Sequence, residues 1–127
     1  MHEIRLAGPW DVSTEAAPEW TRTNLPFAPS AIEGMLRLRR KFHRPSGLTS
    51  ESRVYVAAVV EGACEIELNG VKLSLTRDQG ECIADISTAL NAFNDLQVIF
   101  SQAADSSNIS NVRLRIIEPT KAVRAEL

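Results

Sequence analysis

The sequence is short of the residues from which small active centres are usually built: in 127 residues there are two cysteines, two histidines and one tyrosine. His2, His43, Cys64 and Cys82 stand in no zinc-ligand spacing, which argues against a zinc site. A Ser-His-acid triad would have to use His2 or His43, and neither is accompanied by the strand-to-helix serine turn of that chemistry. Asp78, Glu81 and Asp85 offer the oxygen ligands that calcium takes, but "RDQGE" reads more simply as a turn closed by Gly80. No catalytic residue, metal or cofactor is therefore assigned.

Long apolar runs are missing too. The longest, Val54 to Val60, is a strand's length and cannot cross a bilayer. The N-terminal "MHEIRLAGPW" lacks the basic segment, apolar stretch and small-residue cleavage site of a secretory signal, so a cytoplasmic location is the expectation. In that reducing setting Cys64 and Cys82 read as buried free thiols. An excess of cations is also absent. A net charge of −2 and a pI near 5.7 remove the long-range attraction that a polyanion binder needs. Neither nucleic acid nor a membrane is expected as a partner.

What is present is the mix of an ordinary globular domain, 44% apolar and 24% charged residues in a length that fits one core. Almost every apolar segment runs with period two. Val54 to Val60 is apolar on both sides, as in a central strand buried on both faces. Cys64, Ile66 and Leu68 alternate with Glu65 and Glu67, and the alternation resumes after Asn69-Gly70 with Val71, Leu73 and Leu75. Asn-Gly between such runs predicts a hairpin, because both residues tolerate the positive φ of a type I′ turn. "DLQVIFS" (95–101) and "NVRLRIIE" (111–118) read as two more strands across a polar loop, and Glu118-Pro119 closes the last one. Ile86, Leu90 and Phe93 are spaced for a short helical turn. Eight or nine short strands with almost no helix predict an all-β, two-sheet sandwich over 1–118, followed by a C-terminal tail over 119–127.

One stretch stands out, "GMLRLRRKFHRPSG", with five of the fourteen Lys and Arg between Arg37 and Arg44. As a strand, Leu36, Leu38 and Phe42 fall on one face, and Arg37, Arg39, Lys41 and His43 on the other. Strict register turns Arg40 toward the core. There it needs a carboxylate or carbonyl partner or a bulge, and a buried pair is expected, so Arg40→Ala should cost more stability than Arg39→Ala. The exposed row of Arg37, Arg39 and His43 is the candidate ligand-binding set. Guanidinium forks match carboxylates, which makes an acidic sugar a natural guest.

Taken in order, the segments resemble the N-terminal sugar-binding module of glycoside hydrolase family 2, the family of β-galactosidases, β-glucuronidases and β-mannosidases. "IRLAGPWDV" looks like that module's first strand, with Gly8 and Trp10. "LPFAPS" stands where it has a Trp-then-Pro segment, with Trp20 and Pro26. "MLRLRRKFHRP" resembles its arginine-rich strand, through Arg39, Arg40, Phe42 and Pro45, and "IELNGVKL" its Asn-Gly hairpin, through Asn69 and Gly70. "ADISTALNAFNDLQVIF" is similar to its closing segment. The resemblance implies a jelly roll of the galactose-binding-domain type, with Trp10 and Trp20 in its packing. In that family the two catalytic glutamates lie on a separate barrel. A stand-alone, non-catalytic carbohydrate-binding-like module is therefore expected, with a saccharide as ligand and a second copy or a separate protein as further partner. The alternative is an interaction or structural subunit that keeps the fold without a ligand site.

Overall fold

A computed structural model describes residues 1–28, 34–103 and 107–118. Among the described residues the period-two pattern forms eleven strands: β1 (His2–Arg5), β2 (Trp10–Thr14), β3 (Thr21–Thr23), β4 (Leu36–His43), β5 (Arg53–Glu61), β6 (Glu65–Leu68), β7 (Val71–Lys72), β8 (Thr76–Asp78), β9 (Glu81–Asp85), β10 (Phe93–Phe100) and β11 (Asn108–Ile117). They make two antiparallel sheets, one of order β1-β11-β5-β9-β8 and one of order β3-β2-β4-β10-β6-β7. The pairs β4·β10 and β5·β11 join strands far apart in the chain, the crossing that periodicity alone leaves open. No helix among the described residues is long and apolar enough to cross a membrane.

The core lies between the layers. Leu36, Leu38 and Phe42 of β4 and Leu96, Val98 and Phe100 of β10 face Val54, Val56, Ala58 and Val60 of β5 and Val112 and Leu114 of β11. Removing each such side chain from water contributes about 1.5–3 kcal/mol, which makes this seam the main driving force. Trp10 is 0% exposed, and its indole Nε1 donates to the Leu6 carbonyl at 3.1 Å, so the large ring is buried with its one polar atom satisfied.

The hairpin forms as expected, with Leu68 opposite Val71 and positive φ at both Asn69 (54°) and Gly70 (82°). Several details differ from the sequence reading. β11 begins at Asn108 rather than Asn111, because a bulge between Ile109 and Asn111 lets Ile109 point inward and exchange two backbone hydrogen bonds with Phe27. The short turn expected from the helical spacing does form, with the Ile86 carbonyl accepting from the amides of both Ala89 and Leu90, but Phe93, counted in that spacing, belongs to β10. The tail expected over 119–127 lies outside the described residues.

Among the described residues no third layer covers the central strand β5. Tyr55 and Val59 are half-buried on its outward side, yet Ala57, between them, is 0% exposed. In register Ala57 lies between Arg113 of β11 and Ile83 of β9. Its short side chain leaves room for Arg113 and Arg115 to reach across β5 and pair with Glu81, the latter at 3.3 Å. The same guanidiniums hold Glu3 of β1 at 3.2 and 2.9 Å. Two arginines and two glutamates thus cross-brace four strands.

The hydrogen bond from Arg115 is the largest influence on the Glu3 carboxyl, and with the charges of Arg113 and Arg115 it outweighs the opposing effect of burial and holds the group below its ordinary value of 4.5. A carboxyl depressed in the folded state stabilises the fold above its unfolded value, and that contribution is lost as pH falls through the folded value. Urea midpoints should therefore fall as pH drops below 4.5, and Glu3→Gln should flatten that slope while lowering stability at pH 7. Parallel pH profiles for the two proteins would show that the brace does not couple to folding.

Candidate ligand cleft

At one end of the six-stranded sheet, β4 finishes as β10 begins, and register sets His43 opposite Phe93 and Lys41 opposite Asp95. All four side chains leave the outer face, since the intervening Phe42 and Asn94 point inward and are buried. With Asn69 they line a cleft of about 330 Å³. Phe93 is 71% exposed, and its ring meets the His43 imidazole edge-on with centroids 4.7 Å apart.

The cleft is held from beneath by a pair of amides. Asn94 is 3% exposed. Its Oδ1 accepts from the Asn91 amide at 2.8 Å and from Asn69 Nδ2 at 3.1 Å. Its Nδ2 donates to the carbonyls of Asn91 at 2.9 Å and Phe42 at 3.4 Å. Asn69 donates further to the Ala89 carbonyl at 3.2 Å, and its Oδ1 accepts from the Asp95 amide at 2.9 Å. The hairpin tip, the turn before β10 and the end of β4 are thereby tied together. Asn69 was expected as a turn former only; its side chain is also the strut of the cleft.

Asp95 supplies the one carboxylate of this lining. Its Oδ1 is shut off from solvent and has no hydrogen-bond partner, so the group is short of donors. With Lys41 opposite it in register and the exposed Phe93 ring next to His43, the cleft presents a cation, a carboxylate and an aromatic ring. It holds no second carboxylate with which Asp95 could form an acid and nucleophile pair.

Of the three residues expected to bind a ligand, only His43 lines this cleft. Arg37 donates to Gln97 Oε1 at 3.2 Å. Arg39 pairs with Asp11 at 3.2 Å and lies 4.1 Å over the Trp20 ring, so its guanidinium is already engaged. Trp20, expected in the interior, is half-buried on this outer face as the partner of Arg39. Nor does Arg40 form a buried ion pair. Its register is regular, but its long stem carries the guanidinium to the rim between the layers, where Nε donates to the Ala7 carbonyl at 2.7 Å and a second nitrogen donates to the Lys41 carbonyl. Of the acidic residues weighed for calcium, Glu81 is spent on Arg113 and Arg115, and Asp85 on the Ser87 amide and Arg53. Among the described residues no group of three potential ligands could hold a metal ion.

No family model and no curated protein matches the sequence. Solved structures do. The FMN-binding β-glucuronidase of Faecalibacterium prausnitzii superposes with a TM-score of 0.74 at 18% identity, over 92% of this chain and 22% of that enzyme. A β-galactosidase from Bacteroides fragilis, itself described as putative, gives 0.72 at 18% identity, over 92% and 23%. The β-D-mannosidase of Dictyoglomus thermophilum gives 0.72 at 14%, over 93% and 23%. The chain has the fold of one segment of these glycosidases. It spans less than a quarter of each of the three, and their activities are the three to which the sequence resemblance points.

Within this sandwich, Lys41, Phe93 and Asp95 escaped the sequence reading as candidate cleft residues. Phe93 was absorbed into the helical spacing of Ile86 and Leu90. The signal that identifies it is the alternation Phe93-Asn94-Asp95-Leu96, which extends the strand backward and turns Phe93 outward. Two stability measurements check these assignments. Asn94→Ala should cost about 2–3 kcal/mol in urea denaturation, since it strands several buried partners. Arg39→Ala should cost about 1–2 kcal/mol, of which the ion-pair share but not the Trp20 share is lost in an Asp11→Ala background, while Arg40→Ala costs about 1. An Arg40 loss well above that of Arg39 would restore the buried-pair reading.

Proposed function

We propose that this chain is a non-catalytic saccharide-binding module whose cleft at Lys41, His43, Phe93 and Asp95 takes an acidic sugar. The observation that carries the reading is the exposed Phe93 ring, edge-on to His43 in a cleft that Lys41 and Asp95 also line. Sugars present an apolar C–H face and a girdle of hydroxyls, and such ligands are held by an aromatic platform with a few fixed polar groups. Lys41 supplies a cation for a ring carboxylate, and Asp95 an acceptor for a hydroxyl. The fold neighbours include β-glucuronidases, which supports an acidic guest. A single carboxylate in the cleft supports binding without hydrolysis.

A ligand that binds only the folded chain raises its melting temperature. Glucuronic and galacturonic acids should do so in a dose-dependent way, and their neutral counterparts less. Phe93→Ala should weaken binding about tenfold or more with little change in the unliganded melting temperature, because the ring is exposed. Lys41→Ala should erase the preference for acidic sugars, and Arg37→Ala should leave it intact. No shift with any sugar at tens of millimolar would turn the assignment to a protein-interaction or structural domain, for which an aromatic side chain left 71% exposed is equally suited.

A further inference from the structure

The two thiols lie at the other end of β6 from the cleft. Cys64 immediately precedes β6 in the six-stranded sheet, and Cys82 sits in β9 of the five-stranded sheet with its side chain turned into the core. Their sulfurs face one another across the layers at 3.9 Å, both free. A disulfide needs a further approach of about 2 Å, within what a half-exposed loop residue supplies by side-chain rotation.

The two sulfurs are not equivalent. Cys82 is 0% exposed, whereas Cys64 is half-buried and opens onto a surface cleft that also carries Glu65, Lys72 and Ser74. Exposed Lys72 and half-buried Glu65 form a pair at 3.4 Å on its rim, an ammonium and a carboxylate within reach of a small zwitterionic peptide. Accessibility therefore dictates an order of events: a reagent from solvent meets Cys64, and only Cys64 can reach Cys82.

We infer that Cys64 and Cys82 form a thiol modification site, in which Cys64 takes up a glutathione-class disulfide from the surface and Cys82 resolves the adduct into a bond between the sheets. In the first step the Cys64 thiolate attacks one sulfur of the small disulfide. A Cys64 mixed disulfide forms, and one glutathione thiolate leaves. In the second step the Cys82 thiolate attacks the Cys64 sulfur, the protein disulfide forms, and the second glutathione leaves. The two cysteines give up two electrons, the small disulfide is reduced by the same two, and the thiol protons finish on the two glutathiones. Burial, then the neighbouring Cys82, pushes the Cys64 thiol up to about 12, so thiolate is scarce at neutral pH. The site answers sustained oxidation slowly, and its rate should climb about tenfold per pH unit from 7 to 9.

Incubating the native full chain with oxidised glutathione and reading the acid-quenched intact mass tests this directly. The wild type should lose two hydrogens and retain no glutathione. Its melting temperature should rise by about 10 °C, since an intersheet link between residues 64 and 82 closes a loop of roughly 20 residues, and dithiothreitol should reverse the rise. Cys82→Ser should trap one glutathione on Cys64, and Cys64→Ser should stay unmodified until urea exposes Cys82. Wild-type protein that keeps the adduct with Cys82 free, or that stays reduced at pH 9 under a large excess of the disulfide, would overturn the inference. So would a Cys64→Ser variant that reacts at the wild-type rate while still melting cooperatively in reductant.

Discussion

The hydrogen bond between Asn69 and Asn94 is the constraint on which one whole end of the sandwich depends. A buried amide is costly unless its donors and acceptor are used, and Asn94 meets that demand only because four segments converge on it: its own strand, the turn at Asn91, the end of β4 at Phe42, and the hairpin through Asn69. The consequences run outward from there. Once Asn94 is anchored inward, the pleat forces Phe93 and Asp95 to the outer face, and once Asn69 is anchored the hairpin stands beside them. A polar pair with a structural duty thus places an apolar ring and a carboxylate on the surface.

The arginines follow a related logic. A chain with net charge −2 concentrates cations on β4 and again on β11, and in both places the neighbouring strands supply the compensation. Arg39 is taken by Asp11 and Trp20, and Arg113 and Arg115 by Glu3 and Glu81. Lys41 has no such carboxylate within salt-bridge distance among the described residues, which sets it apart from Arg39 two residues back in the row. A basic stretch in sequence is therefore a poor guide to a basic surface: what counts is which of its members the adjacent strands leave unspent.

Much of the fold was legible because strand alternation is a local property. Leu36, Leu38 and Phe42 turn inward and Arg37, Arg39, Lys41 and His43 outward, as period two requires, and Asn69-Gly70 turns where its backbone preferences say it should. The errors arose where a distant element decides the outcome. Arg40 obeys its register yet keeps its guanidinium out of the core, because its long stem reaches the carbonyls of Ala7 and Lys41. The start of β11 was hidden because a bulge interrupts the alternation and Phe27, some 80 residues earlier, pairs with Ile109. The site was half legible for the same reason: His43 could be placed on the exposed row, but the partners opposite it come from β10, and cross-strand register is not written in either strand alone.

The outermost strands of both sheets are short, with four residues in β1, three in β3 and β8, and two in β7. An unpaired sheet edge is a template for another chain, and its danger grows with the length of straight ladder on offer. Here an incoming strand finds at most four residues to pair with before the edge ends, while the long strands β4, β5, β10 and β11 are all flanked on both sides. Each of these short edges also carries a charged side chain, Glu3 and Arg5 in β1, Arg22 in β3, Lys72 in β7 and Arg77 and Asp78 in β8, so shortness and charge together protect against edge-to-edge aggregation and leave side-chain faces, not backbone ladders, as the means by which the sandwich can join anything else.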